Sequence, residues 1–379
     1  MMIQAVLGNP NHPEYGVATI PFPIPHDQYT YCMDLLEALE IGDAVKADCK
    51  VVEFDSAYNV LKHMEQCTVN VEELNYLAKR LESFDTGEAA QFQAMAHKLE
   101  LFELKDLINL TFCCQQATVI TDFSDLAAVG RDHYMNLHGG SASVDELNKL
   151  DSEETARRLI ESGGGTITPY GVVYDNGMKL EQVYDGRFFP CYYYEPNAIT
   201  VAVISKAEPE DTEHITWLFL PMVQEEIDRA LLRGGITDPA DVRLRLEDSQ
   251  LPNEVDVLLD MEYETLSDLN ELATATDGLS KADMEKLGAV VTLAEPKSAA
   301  QIKNLAKNLD LFDFAPDAHS PADYGKYMIR QSGRFEYDEN LDAFYDYEKY
   351  GAERMNEEDG MFTDRGYIAY KGYYSSQCR

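Results

Sequence analysis

The chain has 379 residues, enough for two or three domains, and 45% of them are hydrophobic, which excludes a disordered acidic tail. Its formal net charge is −37, from 68 acidic and 31 basic residues. The excess is spread along the chain, because residues 1–200 hold 31 acidic and 13 basic residues and residues 201–379 hold 37 and 18. Such acidity disfavours direct binding to nucleic acid or anionic lipid, and no apolar run is long enough to span a membrane.

The seven cysteines indicate a reducing compartment. Their number is odd and none forms a Cys-x-x-Cys pair, so a disulfide framework is not expected. The N-terminal residues show neither a basic segment nor a long apolar one, so we expect no secretory signal. The predicted location is the cytoplasm.

The first half of the chain predicts alternating strands and helices. Proline ends the first strand, and glycines end the last helix. The predicted elements are a strand (18–23), a helix (29–39), a strand (51–54), a helix cluster (70–108), an amphipathic helix (145–160) and a hairpin (166–174).

One nine-residue stretch occurs twice. Residues 70–78 and 265–273 both run Leu-Asn-x-Leu-Ala, starting at Leu74 and Leu269, 195 positions apart. Each stretch opens on a residue that caps helices, Asn70 or Thr265, and has an acid three residues later. The pattern therefore predicts two equivalent capped helices.

The same offset recurs through both halves of the chain. It relates Ile41 to Ile236 and Gly130 to Gly325, and it also relates the glycines and threonine of the predicted hairpin to those near the C-terminus (Gly165, Thr168 and Gly171 to Gly360, Thr363 and Gly366). In the second half, a strand at 217–221 and a helix at 227–233 occupy the places of the first strand and helix. We predict two tandem copies, 1–185 and 196–379, joined by a linker at 186–195. The mixture of predicted strands and helices in both copies indicates an α+β fold class.

Motifs for catalysis or metal binding are weak. The sequence contains no Gly-x-Ser-x-Gly elbow, no phosphate-binding lysine motif and no histidine or cysteine pattern with zinc spacing. Residues 346–357 resemble a calcium loop, but Tyr350 replaces a ligand and Glu353 replaces an apolar residue. We therefore expect no enzyme activity, no cofactor and no bound metal.

The charge itself is the remaining functional signal. Self-repulsion of this size destabilises a compact fold, so halophilic adaptation, cation binding and a basic partner all compete as explanations. Sixty-eight carboxylates equal the phosphates of about 34 base pairs of DNA. Solvated acids on helix faces are therefore candidates to mimic phosphates in the basic groove of a DNA-binding protein. These candidates are Glu225, Glu226, Asp228, Glu254, Asp256, Asp260, Glu262, Glu264, Asp268, Glu271, Asp338, Glu339, Asp342, Asp346, Glu348, Glu353, Glu357, Glu358 and Asp359.

In their order along the chain, these motifs resemble the ArdA antirestriction proteins of mobile genetic elements. The resemblance rests on residues 217–222 (Trp-Leu-Phe-Leu-Pro-Met) with the helix after them, on the Leu-Asn-x-Leu-Ala helices, and on three tyrosine-rich segments at 323–327, 345–351 and 366–370. The second copy matches better than the first.

The resemblance implies an elongated α+β chain of several small domains, in which each copy has a strand–helix unit, a helix cluster and a C-terminal α/β unit. It also implies an acidic inhibitor without catalysis that mimics DNA. Its expected partner is a type I restriction–modification enzyme, whose DNA-binding groove it would occupy. Members of the family are about one copy long and dimerise, so a chain with two copies is expected to be a monomeric pseudo-dimer or a homodimer. The alternative is an acidic module that inhibits another DNA-binding protein or a CRISPR-type defence protein.

Overall fold

The computed structural model describes residues 3–192, 196–207, 213–333 and 336–371. The first half contains seven strands and seven helices within this description. They are β1 (Ile3–Gly8), β2 (Val17–Phe22), α1 (Tyr29–Ala38), β3 (Cys49–Asp55), β4 (Thr68–Val69), α2 (Val71–Glu82), α3 (Thr86–Leu99), α4 (Leu104–Leu110), β5 (Thr118–Ile120), α5 (Leu126–Leu137), α6 (Val144–Lys149), α7 (Ser152–Glu161), β6 (Thr166–Thr168) and β7 (Gly171–Tyr174).

The described part of the second half follows nearly the same order. Its elements are β8 (Ile199–Ser205), β9 (Thr216–Leu220), α8 (Gln224–Arg233), β10 (Val242–Ser249), α9 (Asn253–Leu258), α10 (Leu266–Thr276), α11 (Lys281–Ala294), α12 (Ala299–Ala306), β11 (Phe312–Pro316), α13 (Pro321–Arg330), α14 (Tyr347–Glu357), β12 (Asp359–Thr363) and β13 (Gly366–Tyr370). Small antiparallel sheets and many helices confirm the α+β class. None of the described helices combines the length and the apolar character needed to cross a membrane.

The chain forms two compact units that interleave in sequence. Unit 1 comprises residues 1–194, 211–217 and 223–239, and unit 2 comprises residues 195–210, 218–222 and 240–379. Helix α8 therefore belongs to unit 1 although it follows a strand of the second half. The boundaries predicted from the sequence for two copies and a linker stay predictions.

The first sheets of the two halves share one topology. The strand order is β2-β1-β3-β4 in the first half and β10-β8-β9 in the second, so the first strand of each half is central. The peptide bonds Phe22–Pro23 and Leu220–Pro221, which follow the equivalent strands β2 and β9, are both cis.

The asparagine of each Leu-Asn-x-Leu-Ala stretch binds the backbone just after the cis proline. The side chain of Asn75 accepts a hydrogen bond from the amide of Ile24 at 2.8 Å, and that of Asn270 accepts one from the amide of Met222 at 2.9 Å. The leucines of both stretches are buried, as an amphipathic helix requires. The repeated motif thus joins each helix cluster to the end of a strand.

The helix clusters also begin and end alike. Asn70 and Thr265 cap α2 and α10 by accepting the amide three residues later, which confirms both predicted caps. Helices α3 and α11 both end in a glutamate with left-handed backbone, Glu100 and Glu295.

The last sheets again share a topology, β5-β7-β6 and β11-β13-β12. Helix α5 packs on α7, and α13 packs on α14, with a glycine at each crossing. A Cβ atom on Gly130 would lie 1.8 Å from the carbonyl oxygen of Ser152, and one on Gly325 would lie 2.0 Å from that of Tyr347. These two glycines let each pair of helix backbones approach closely.

One sequence prediction needs correction, and two strands were not predicted. The single helix predicted at 145–160 is two helices, because Leu150 is extended and Asp151 caps α7. Strands β1 and β8, both central in their sheets, were not predicted. The largest hydrophobic core of the described residues lies in the first half, around Phe22, Leu36 and Phe92.

Candidate partner-binding surface

The structure divides the nineteen predicted acids by exposure. Eleven are exposed: Asp228, Asp260, Glu262, Glu271, Asp338, Glu339, Asp346, Glu348, Glu353, Glu357 and Asp359. The other eight are half-buried: Glu225, Glu226, Glu254, Asp256, Glu264, Asp268, Asp342 and Glu358. Exposure is the first requirement for a phosphate mimic, since the carboxylate must reach a partner without unfolding the protein.

Several of the predicted acids already bind cations of their own chain. The acids and their partners are Glu226 with Lys79, Glu254 with Arg365, Glu271 with Lys303, Asp342 with Arg330, and Glu357 and Glu358 with Arg354. A carboxylate whose charge is compensated locally attracts a second cation less strongly. These six acids are therefore weaker candidates than the unpaired ones.

Glu254 shows how such an acid serves the fold. Arg365, in the turn between β12 and β13, donates Nε and Nη2 to the two carboxylate oxygens of Glu254 at 2.8 and 2.9 Å. Its Nη1 donates to Glu285 at 2.6 Å. The paired hydrogen bonds from Arg365 lower the pKa of Glu254. This arginine joins α9, α11 and the last hairpin, so Glu254 has a structural role.

Burial raises the pKa of three of the predicted acids, whereas Arg365 lowers that of Glu254. It raises the pKa of Glu226 although Lys79 lies 3.6 Å away, and it raises the pKa of Asp256 and Glu264. Glu264 also accepts the amide of Ala299 at the start of α12. Because desolvation disfavours their charged forms, these side chains are poor phosphate mimics.

Nine of the exposed predicted acids have no cation partner among the residues that the structure describes. They are Asp228, Asp260, Glu262, Asp338, Glu339, Asp346, Glu348, Glu353 and Asp359. Asp338 and Asp346 also cap helices, so their substitution would affect stability as well as charge.

Helix α14 shows the spacing these acids can reach. Asp346 and Glu353 are seven residues apart, two helical turns, so they lie on one face about 10 Å apart along the axis. DNA presents one phosphate per about 3.4 Å along each strand. One helix face therefore has a lower charge density than a DNA strand, and a mimic needs acids from several elements.

The first half contains an acidic helix face that the sequence prediction missed. Asp34 and Glu37 lie on α1, Asp27 precedes the helix and Glu40 follows it. All four acids are exposed, and none pairs with a cation within the described part of the chain. Tyr31, 63% exposed, lies between Asp27 and Asp34. Asp34, Glu37 and Glu40 follow one another at intervals of three residues, and this helical spacing in the sequence was the signal that could have revealed this face.

Asp342 is a special case among the predicted acids. It accepts hydrogen bonds from the hydroxyls of Tyr347 and Tyr337 and from the guanidinium of Arg330. These hydrogen bonds lower the pKa of Asp342 to about 2. The carboxylate remains ionised at any ordinary pH, but its neighbours compensate its charge.

The segment that resembled a calcium loop is helical. Asp346 caps α14, and residues 347–357 form the helix itself, so they cannot wrap around an ion. Among the described residues, no group of three or more His, Cys, Asp and Glu side chains is arranged to hold a metal.

One segment in the second half of the chain is similar to a known protein family. Residues 212–369 match the family model of Antirestriction protein (ArdA). The resemblance to ArdA expected from the sequence is thereby confirmed for this segment, which spans strand β9 to strand β13. The match does not reach the first copy, whose likeness to ArdA stays a prediction. No curated protein matches the chain.

Within the ArdA-like segment lie all nineteen predicted acids, including the nine that are exposed and without a cation partner. The acidic face of α1 lies outside it. The candidate acids thus form two sets, one inside the ArdA match and one around α1 that lies outside it.

Proposed function

We propose that the protein is an antirestriction inhibitor whose exposed carboxylates mimic DNA phosphates and occupy the DNA-binding groove of a type I restriction–modification enzyme. The match of residues 212–369 to the ArdA family carries this proposal. It is supported by the net charge of −37 and by exposed acids without cation partners. The inhibitor acts in the cytoplasm, without a cofactor and without catalysis.

Both halves of the chain contribute in this proposal. Element order, sheet topology, the cis prolines and the crossing glycines recur in the two halves. We therefore propose two tandem ArdA-like copies, each supplying acids to one partner. In the first copy these are the acids of α1, and in the second they include Asp260, Glu262, Glu348 and Glu353.

Electrostatic complementarity explains why such a surface can compete with DNA. Cations that line a DNA groove attract any array of anions, and each contact contributes to the rate of encounter as well as to affinity. Folded carboxylates have a lower linear charge density than DNA and condense fewer counterions. We therefore expect inhibition to weaken as salt rises, but less steeply than DNA binding does.

The test is a DNA-cleavage protection assay with a purified type I enzyme. The protein should prevent cleavage at a ratio near one inhibitor per DNA-binding groove, and a higher concentration of the cleavable duplex itself should restore cleavage by competition. Protection that persists against excess duplex would show that the inhibitor binds elsewhere on the enzyme. Absence of protection at low salt would contradict the proposal.

A further inference from the structure

Helix α8 carries a buried guanidinium. Arg233, in the last turn of α8, is 4% exposed, and Arg229 lies one turn before it. A buried arginine cannot lose its charge, so it requires acceptors for its N–H groups. The partners of these two arginines therefore show what α8 does.

Arg233 first binds backbone carbonyls from two distant segments. Its Nη1 donates to Ala44 in the loop after α1 at 2.9 Å. Its Nε donates to Arg187 at 2.8 Å, and its Nη2 donates to Gly186 at 3.3 Å. Arg187 returns a hydrogen bond from its own Nε to the carbonyl of Arg233 at 2.8 Å. One side chain thus holds the loop after α1 and the segment around 186 together.

The same guanidinium also reaches the start of α2. Its Nη1 donates to the side-chain oxygen of Asn70, the cap of α2, at 3.0 Å. Its Nη2 donates to the hydroxyl of Tyr184, which donates in turn to Glu73 at 2.7 Å. The Glu73 carboxylate lies 3.7 Å from Arg233 and supplies the compensating charge.

Arg229 makes a second, parallel connection. Its Nε donates to Glu72 of α2 at 2.6 Å, and its Nη2 donates to the carbonyl of Gly42 at 2.7 Å. Tyr29 of α1 also donates to Glu72, at 3.3 Å. Although burial opposes it, the Glu72 carboxylate raises the pKa of Arg229.

The segment predicted as a linker takes part in this network. The ring of Phe189 lies under the guanidinium of Arg233 at 4.4 Å and stacks on Tyr76 of α2 at 4.5 Å. The Tyr76 hydroxyl donates to the carbonyl of Pro190 at 2.9 Å. Residues 186–190 are thereby fixed on α2 within unit 1.

The equivalent helix of the first half cannot make these contacts. At the 195-residue offset, Arg229 corresponds to Asp34 and Arg233 to Ala38. Both residues lie on α1, which ends without a basic residue. The two arginines are therefore specific to α8.

We infer that α8 is an intramolecular clasp, whose two arginines join α2, the loop after α1 and the segment 184–190 into one buried network that completes the first unit. Residues 1–185 do not include Arg229 and Arg233, the two cations that pair with Glu72 and Glu73 in the described structure. The first copy is thus completed by a helix from the second half. Because Glu72 and Glu73 are bound within this network, they are not available to contact a partner protein. This inference holds whichever target the protein inhibits.

Hydrogen exchange of the full-length protein, read by mass spectrometry, tests the clasp. In Arg233→Gln, peptides covering 42–46, 184–190 and 224–233 should all exchange at least about tenfold faster than in the wild type, because an unpaired buried network opens as one unit. Peptides of α11 should be unchanged. The control is Arg157→Gln, which removes an equal charge from an exposed ion pair of α7 and should leave all three segments unaffected.

Faster exchange in α8 alone, or in none of the three segments, would overturn the clasp. If Arg233→Gln does not fold, hydrogen exchange of the wild-type protein is measured instead, at a series of low denaturant concentrations. The three segments should then share one opening transition. Separate transitions would show that α8 is an ordinary helix docked on an independently stable unit.

Discussion

Helices α7 and α14 occupy equivalent places in the two halves but differ in electrostatics. In α7, Glu153 pairs with Arg157 at 3.2 Å, and Arg158 pairs with the neighbouring glutamate. At the 195-residue offset, α14 has Ala352 and Glu353 in place of these two arginines. At these positions α7 therefore presents compensated charges, whereas Glu348 and Glu353 of α14 have no cation partner among the described residues.

Helices α1 and α8 show the reverse arrangement. The acids of α1 are exposed and unpaired within the described residues. In α8, by contrast, two arginines bind α2, another element of the same unit. The free acids found in the first half therefore lie around α1, whereas eight of the nine in the second half lie outside α8 and only Asp228 lies on it, although the two halves have almost equal net charge. A repeated fold does not imply a repeated surface, so the roles of the two halves must be tested separately.

The largest expected effect concerns what the two halves share, the close helix crossings. Gly130→Ala and Gly325→Ala each place a Cβ atom within about 2 Å of a backbone carbonyl oxygen of the facing helix. Backbone cannot move as a flexible side chain can, so each substitution should lower the free energy of unfolding by about 1–3 kcal/mol or more. Denaturant unfolding of the full chain measures this change.

The matched control for the crossings is Ala127→Ser, a small change at a half-buried position of α5. This substitution should lower the free energy of unfolding by much less than either glycine substitution does. If only one of the two glycine variants is destabilised, the helix pairs do not pack alike, and the equivalence of the halves fails at this point.

The next effect concerns what distinguishes the halves, the free acids of α14. Glu348→Gln with Glu353→Gln removes two exposed, unpaired charges, and Glu153→Gln with Glu154→Gln removes two charges that arginines compensate. At about 0.5 kcal/mol for each exposed charge contact, the α14 variant should inhibit a type I enzyme roughly fivefold less potently. The α7 variant should change potency by less than about twofold.

Both double variants change the net charge by the same amount, so the difference between them isolates position. Equal losses of potency would mean that overall charge alone determines inhibition. A loss confined to the α7 variant would place the contact surface on the other half of the molecule.

The sequence revealed the repeated order of elements because local signals encode it. Helix caps such as Asn70 and Thr265, and the spacing of buried leucines, depend on neighbours within four residues. Strand β8 was missed although six of its seven residues are buried, because a short apolar run does not by itself distinguish strand from helix.

The state of each acid was less predictable, because it depends on distant partners. Glu254 binds Arg365 from 111 residues away, and Glu72 binds Arg229 from 157 residues away. No spacing rule links such pairs, so the sequence could not separate structural carboxylates from free ones. The acids of α1 are a different case, since the helical spacing of Asp34, Glu37 and Glu40 is visible in the sequence.

The smallest expected effect is a difference between the halves in how stability depends on pH. Asp342 has a pKa of about 2 because Tyr347, Arg330 and Tyr337 bind its charged form. The equivalent position of the first half is Leu147, which has no carboxyl group. A depressed folded-state pKa contributes stability that is present above the unfolded value near 4 and is lost as the pH falls toward 2.

Asp342→Asn should remove this pH dependence of stability. A carboxyl titration by NMR, together with unfolding at pH 6 and pH 3, would measure it. A titration midpoint of Asp342 near 4 would show that Tyr347, Tyr337 and Arg330 do not bind its carboxylate in solution. Asp342 would then belong with the exposed acids of the second half that have no partner.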